Sequence, residues 1–118
     1  DHRDLHSFPT RRSSDLRELI EIKADKQPVG HFEQSKAFTS HEIQLEKGDR
    51  LYFISDGYAD QFGGPIGKKL KTKNLKDLLL ETATASISMQ GTQLERYFTE
   101  WKANFEQVDD VCIMGIEV

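Results

Sequence analysis

Apolar residues recur along the chain with two different periods, and the period decides the element. Leu19-Ile20-Glu21-Ile22 is short, apolar and β-branched, and a turn signal follows at Gln27-Pro28-Val29-Gly30, which predicts a strand and a turn. Phe38, Ile43 and Leu45 lead into Glu46-Lys47-Gly48-Asp49, after which Leu51-Tyr52-Phe53-Ile54 runs apolar. That pattern predicts a hairpin, two strands joined by a tight glycine-containing connection. Leu75, Leu78, Leu79 and Ala83 step by three and four residues, as do Leu94, Tyr97, Phe98, Trp101 and Phe105 over a longer span. Both stretches predict amphipathic helices. The closing run from Val111 to Val118 is too short and too β-branched for a third helix, and predicts a buried central strand that also hides Cys112. Three strands, two helices and a strand make an α+β fold, a mostly antiparallel sheet with two amphipathic helices on one face. No cover for the other face of the sheet is visible in the pattern.

The first sixteen residues differ from the rest. Asp1 to Leu16 are polar, rich in arginine, serine and histidine, and lack either period. Ser7-Phe8-Pro9-Thr10-Arg11-Arg12-Ser13-Ser14-Asp15-Leu16 resembles the translated read-through of a common sequencing adapter. Residues 1–16 are therefore expected to be a non-native or disordered segment, and residues 17–118 to carry the domain. Gly63, Gly64, Pro65 and Gly67 predict an irregular loop before the lysines that follow.

Composition narrows the function classes. The chain has 118 residues, enough for one domain or part of one, and a formal charge of -4, so no global field draws it to nucleic acid or to an anionic membrane. One cysteine excludes an intrachain disulfide framework and a multi-cysteine zinc site, in keeping with a cytoplasmic setting. No apolar run approaches the roughly 20 residues that span a bilayer. Membrane contact by this segment is not expected, although a longer protein carrying it could be membrane-anchored.

Candidate chemistry lies at strand ends. Asp56 follows the apolar strand directly, and Gly57 behind it allows the backbone to bend sharply. Asp109-Asp110 stands immediately before the last apolar run. If the two strands are neighbours, Asp56 and Asp109 can converge on a hard cation such as Mg²⁺ or Mn²⁺, which prefers carboxylate oxygen. The same residues also fit a plain Asp-Gly turn and solvated carboxylates. Lys68 and Lys69, with Lys71, Lys73 and Lys76, could dock a phosphoprotein or could be solvated, and Gly63 to Lys69 does not have the Walker spacing. The aromatics of the second helix fall at core spacing, with no arginine or lysine in the stripe to suit nucleic acid.

Lys47-Gly48-Asp49-Arg50-Leu51-Tyr52-Phe53-Ile54-Ser55-Asp56-Gly57 and Asp109-Asp110-Val111-Cys112-Ile113 together resemble the two closing motifs of SpoIIE-like, PPM-type metal-dependent serine/threonine protein phosphatases. The resemblance covers Arg17 to Val118 and implies a partial α-β-β-α sandwich, the C-terminal portion of such a domain. It implies hydrolysis of phosphoserine or phosphothreonine in a bacterial signalling protein by water bridging two Mn²⁺ or Mg²⁺ ions, with no side-chain nucleophile. Asp56 and Asp109 match metal ligands. Asp110 and Gly57 match positions that orient those ligands or approach the metal themselves. The substrate implied is a phosphoprotein, such as an anti-sigma-factor antagonist. The family's upstream Asp with its Gly-His-Gly companion has no counterpart, since His2, His6, His31 and His41 stand in other contexts. The chain alone is therefore expected to be inactive, and the alternative is a non-catalytic interaction or sensing domain on the same scaffold.

Overall fold

A computed structural model of the chain describes residues 5–13, 16–22, 40 and 42–118. Its elements in order are β1 (Leu5–Ser13), β2 (Leu16–Leu19), β3 (Arg50–Ser55), β4 (Phe62–Gly63), β5 (Lys68–Lys69), α1 (Thr72–Thr82), α2 (Ile87–Lys102) and β6 (Ile113–Glu117). Four strands form one antiparallel sheet in the order β2-β1-β3-β6, and β4 pairs with β5 in a separate two-stranded ladder. The fold is α+β, as the pattern predicts.

Strand β3 organises the core because its side chains alternate. Arg50, Tyr52 and Ile54 are buried under the helices, while Leu51, Phe53 and Ser55 face the other way and are half-buried. Tyr52 and Ile54 meet Leu75 and Leu79 of α1, Leu94 of α2, and Tyr58, Ala59 and Leu70 from the segment between. Helix α2 starts where Ser86 accepts a hydrogen bond from the Met89 N–H at 3.2 Å, an N-cap that satisfies one of the free amides of the first turn.

Arg50 enters this core as a charge and is fully engaged there. Its guanidinium donates to Gln90 Oε1 at 3.0 Å and to the Ala85 carbonyl at 2.6 Å, and lies 3.5 Å from Glu117. Gln90, 1% exposed, also accepts from the Tyr52 hydroxyl at 2.9 Å and donates to Leu79 O and Thr82 Oγ1. One glutamine thus ties β3, α1 and α2 together.

Several expectations are corrected. Residues 5–13, within the segment expected to be non-native or disordered, form β1 between β2 and β3, with Leu5 opposite Ser55 and Thr10 opposite Arg50. Backbone pairing accounts for this: β3 offers N–H and C=O groups on both edges, and a strand needs no strong side-chain period to satisfy them. Pro9 is tolerated because the β1–β2 ladder ends at Thr10 opposite Leu19, short of the missing donor. The first strand of the pattern lies further upstream than its apolar residues suggest, at Leu16–Leu19.

No strand forms at Ile43 or Leu45, although the turn itself is present. Asp49 N–H donates to the Glu46 carbonyl, and Asp49 Oδ2 accepts from Glu46 N–H at 2.8 Å. The turn at Gln27 to Gly30 and Phe38 lie outside the described residues. Strand β6 is at an edge of the sheet rather than central, with Met114, Ile116 and Val118 exposed, and Cys112 is exposed rather than hidden.

Candidate functional site

The two aspartate motifs meet through backbone. At the end of β3, Ser55 N–H donates to the Cys112 carbonyl at 3.0 Å, and Ser55 Oγ accepts from Cys112 N–H at 2.9 Å and donates to the Asp110 carbonyl at 3.3 Å. Two residues further on, Gly57 lies against the Asp110–Val111 peptide. A Cβ on Gly57 would overlap the Asp110 carbonyl oxygen and stand 3.4 Å from the Asp109 Cβ. Gly57 does not adopt a positive φ, so it is needed for close approach and not for a sharp bend. Asp56 is held between these two contacts.

The turn after Asp56 is anchored from below. Asp60 N–H donates to the Asp56 carbonyl at 2.9 Å, and the buried Tyr58 sends its hydroxyl to the Leu94 carbonyl at 2.7 Å and its ring against Phe98. Burial pushes the Tyr58 phenol well above its ordinary pKa, with a further contribution from Tyr97. Asp56 is half-buried, and Asp109 and Asp110 are exposed. The backbone segments that carry these carboxylates thus come together at one end of the β3–β6 pair.

As donors for a hard divalent cation these residues have the right chemistry, being carboxylate oxygens, but they are too few. Among the described residues no group of three His, Cys, Asp or Glu side chains is placed to hold a metal ion. His2, His31 and His41 lie outside the described residues. Asp56 and Asp109 alone therefore do not make a complete oxygen-donor set among the described residues.

The glycine-rich segment is more ordered than a loop. Phe62 pairs with Lys69 and Gly63 with Lys68, and the connection wraps the end of α2. A Cβ on Gly63 would overlap the Trp101 carbonyl, one on Gly64 would meet the indole ring, and one on Gly67 would touch Phe105. Trp101 Nε1 donates to Gln61 O at 3.0 Å and Gly64 N–H donates to Trp101 O at 3.0 Å. These glycines make room for aromatics. Of the aromatic stripe, Phe98 and Trp101 pack on the core, whereas Tyr97 and Phe105 are exposed, because Phe105 falls beyond the last turn of α2. Lys68 and Lys69 are exposed on β5. Lys69 Nζ stands 5.8 Å from the Phe62 ring centroid and 4.0 Å from Asp60 Oδ1.

Sequence reasoning missed Ser55, Arg50 and Gln90. Ser55 is visible in hindsight as a hydroxyl adjoining a strand-end carboxylate. Gln90 stands four residues before Leu94 on the apolar stripe of α2, and a lone amide on such a stripe is the signal of a buried hydrogen-bond hub.

Two motifs brought together by strand pairing, with helices on one sheet face, form the scaffold that the sequence resemblance implies. The chain belongs to the Stage II sporulation protein E (SpoIIE) family, whose model matches residues 6–118. Its fold is that of the SiaA-PP2C domain of Pseudomonas aeruginosa, with a TM-score of 0.80 at 23% sequence identity. That match covers 97% of this chain and 43% of the other, so the chain spans less than half of that domain. No curated protein sequence matches it. Among the described residues no helix is long and apolar enough to cross a membrane.

Proposed function

We propose that the chain is the C-terminal part of a metal-dependent phosphoserine and phosphothreonine phosphatase domain of a bacterial signalling protein, and turns over no substrate on its own. The observation that carries this reading is the seating of Gly57 on the Asp110–Val111 peptide, which brings the two aspartate motifs to one point. In this reading Asp56 and Asp109 hold a divalent ion, Mn²⁺ or Mg²⁺, and Asp110 orients them. The bound ion supplies a water of lowered pKa and neutralises phosphoryl charge. This chain's own part is to fix two carboxylates, through Ser55 and Gly57, and to leave the rest of the coordination to residues outside it.

The purified 118-residue chain, assayed with an aryl phosphate and Mn²⁺ or Mg²⁺, is expected to release no phosphate above a metal-only control. Manganese-dependent turnover by this chain would refute the inactivity. In a longer product of the same gene that carries the upstream Asp and Gly-His-Gly region, Asp56→Asn and Asp109→Asn should each abolish turnover. Retained turnover in either variant would remove that residue from the site. A second reading, a non-catalytic interaction or sensing domain, draws on the incomplete donor set among the described residues. It predicts that the longer product also lacks the upstream motif.

For the substrate we propose a phosphoprotein of the anti-sigma-factor antagonist type, docked in part by Lys68 and Lys69. Both lysines are exposed, and Lys69 lies beside Asp60, whose N–H is bonded to the Asp56 carbonyl. In the active longer protein, Lys68→Glu with Lys69→Glu should slow phosphoprotein turnover and spare an aryl phosphate. Equal loss on both substrates would sink the docking role.

A further inference from the structure

We infer that Gln61 is a positioning residue for Asp109: its side-chain amide ties the upstream end of the segment carrying Asp109 to the turn that begins at Asp56. The inference rests on the proposed role of Asp109 as a metal ligand. Gln61 is 1% exposed and directly follows the turn over residues 56–60. Its main chain is held by two hydrogen bonds to its carbonyl, from Leu70 N–H at 3.1 Å and from Trp101 Nε1 at 3.0 Å. Its Nε2 donates to the Phe62 carbonyl at 2.9 Å and to the Glu106 carbonyl, far along the chain, at 3.0 Å. Both partners are carbonyl oxygens, which only accept, so the amide can present only its NH₂ group to them.

Glu106 lies in the stretch that leads from α2 to β6. Residues 103–112 are turns and irregular chain, and 103–110 are exposed. Asp109 stands before the end of the β3–β6 ladder, where Ile54 pairs with Ile113, so what the ladder fixes must be carried back to it along the chain. Downstream of Asp109 the stretch is held by Ser55, through the Asp110 carbonyl and Cys112 N–H, and by the close approach of Gly57. Upstream it is held by Gln61 at Glu106. Both anchors belong to residues 55–61, the stretch that also contains Asp56.

From Glu106 to Asp110 the chain can span at most about 14 Å when fully extended. Within that span Gln107 Nε2 donates to the Asp109 carbonyl at 3.1 Å. Fixed at both ends, so short a span leaves Asp109 little freedom relative to Asp56. Released at Glu106, it hinges at Asp110, and Asp109 swings with it. Groups that hold a ligand in place in this way govern how tightly a ligand set keeps its ion. A glutamine that only completed the β4–β5 ladder would affect stability and leave Asp109 where it is.

Two variants separate these roles, with circular dichroism to confirm the fold. Gln61→Met keeps the length of the side chain and loses the donor, whereas Gln61→Asn keeps the amide but ends one methylene short of Glu106. In the 118-residue chain without metal, heteronuclear NOE values at Val108 and Asp109 should fall in both variants and stay level at Cys112. Unchanged values at Asp109 in either folded variant overturn the positioning role, whatever the loss in Tm. In the longer product that carries the upstream motif, each variant should raise the Mn²⁺ concentration for half-maximal turnover of an aryl phosphate roughly 10–100-fold, with kcat at saturating Mn²⁺ preserved. A loss confined to kcat, or an unchanged Mn²⁺ requirement beside an inactive Asp109→Asn, overturns the role of Gln61 and leaves the reading of Asp109 standing. Turnover retained by Asp109→Asn instead overturns that reading, and the inference with it.

Discussion

Replacing Gly57 by alanine adds one methyl group at the point where the two aspartate motifs touch. The new Cβ would overlap the Asp110 carbonyl oxygen and lie 2.9 Å from its carbon, so the obstacle is backbone. A flexible side chain could swing aside, but here the 110–111 peptide has to move. That peptide is bound to Ser55 through the Asp110 carbonyl, and its neighbour Cys112 through two further hydrogen bonds. Forced overpacking of this kind costs about 1–3 kcal/mol. For a domain of this size that is a fall in Tm of roughly 5–20 °C.

Gly91 is the control, because a Cβ there meets nothing within 4 Å and the residue lies inside α2. Gly91→Ala should stabilise by about 0.5–1 kcal/mol through helix propensity. Urea denaturation of the three chains measures both effects. An amide spectrum should show Cys112 N–H shifting in Gly57→Ala and staying fixed in Gly91→Ala. A Gly57→Ala chain within about 0.5 kcal/mol of the parent would refute the close approach, since that is the range of an unconstrained surface change.

Two further outcomes follow from the buried polar groups. Gln90→Leu takes the acceptor from Arg50 Nη1 and from the Tyr52 hydroxyl together, and should cost about 3–5 kcal/mol in urea denaturation; a loss below about 1 kcal/mol would dismiss the hub. Tyr58 has a raised phenol pKa because burial disfavours its charged form, so the folded state holds its proton where the unfolded chain has released it. The stabilisation is complete below about pH 10, the ordinary tyrosine pKa, and is lost as pH rises above it. Tyr58→Phe should lower stability at pH 7 by about 1 kcal/mol for the lost bond to Leu94 and flatten the alkaline fall; an unchanged alkaline slope in thermal melts would assign that fall to other groups.

The readable part of the fold was the part with a period. Leu75, Leu79 and Leu94 announce helices because three-and-four spacing puts them on one face, and Leu51 to Ile54 announce a strand because they form a short apolar run behind a turn. Backbone bonding is nearly blind to side chains, so β1 was not legible, and neither was the failure of Ile43 and Leu45 to form a strand. The edge position of β6 was hidden for a related reason. Ile113, Met114 and Ile116 read as buried because they are apolar, but burial depends on what stands next to a strand, and the order of strands is a non-local property.

The candidate site was legible as residues and not as geometry. Asp56 and Asp109 can be picked out because each adjoins an apolar run, yet their meeting depends on Ser55, which sequence reasoning passed over. Three hydrogen bonds join Ser55 to Asp110 and Cys112, and none of them needs a cation. The approach of the two aspartate motifs is therefore set by strand pairing and by the absence of a side chain at Gly57. Preorganisation of this sort separates two costs that are easily confused. Leaving ligands out of the site removes charge and donors that a divalent ion requires, while the relative position of Asp56 and Asp109 stays fixed by the β3–β6 ladder. On the proposed reading, a longer chain that carries the remaining donors should bind Mn²⁺ or Mg²⁺ without rearranging this half. The Cys112 and Gly57 amides, which report the contact directly, should keep their shifts when the rest of the domain is supplied and metal is withheld.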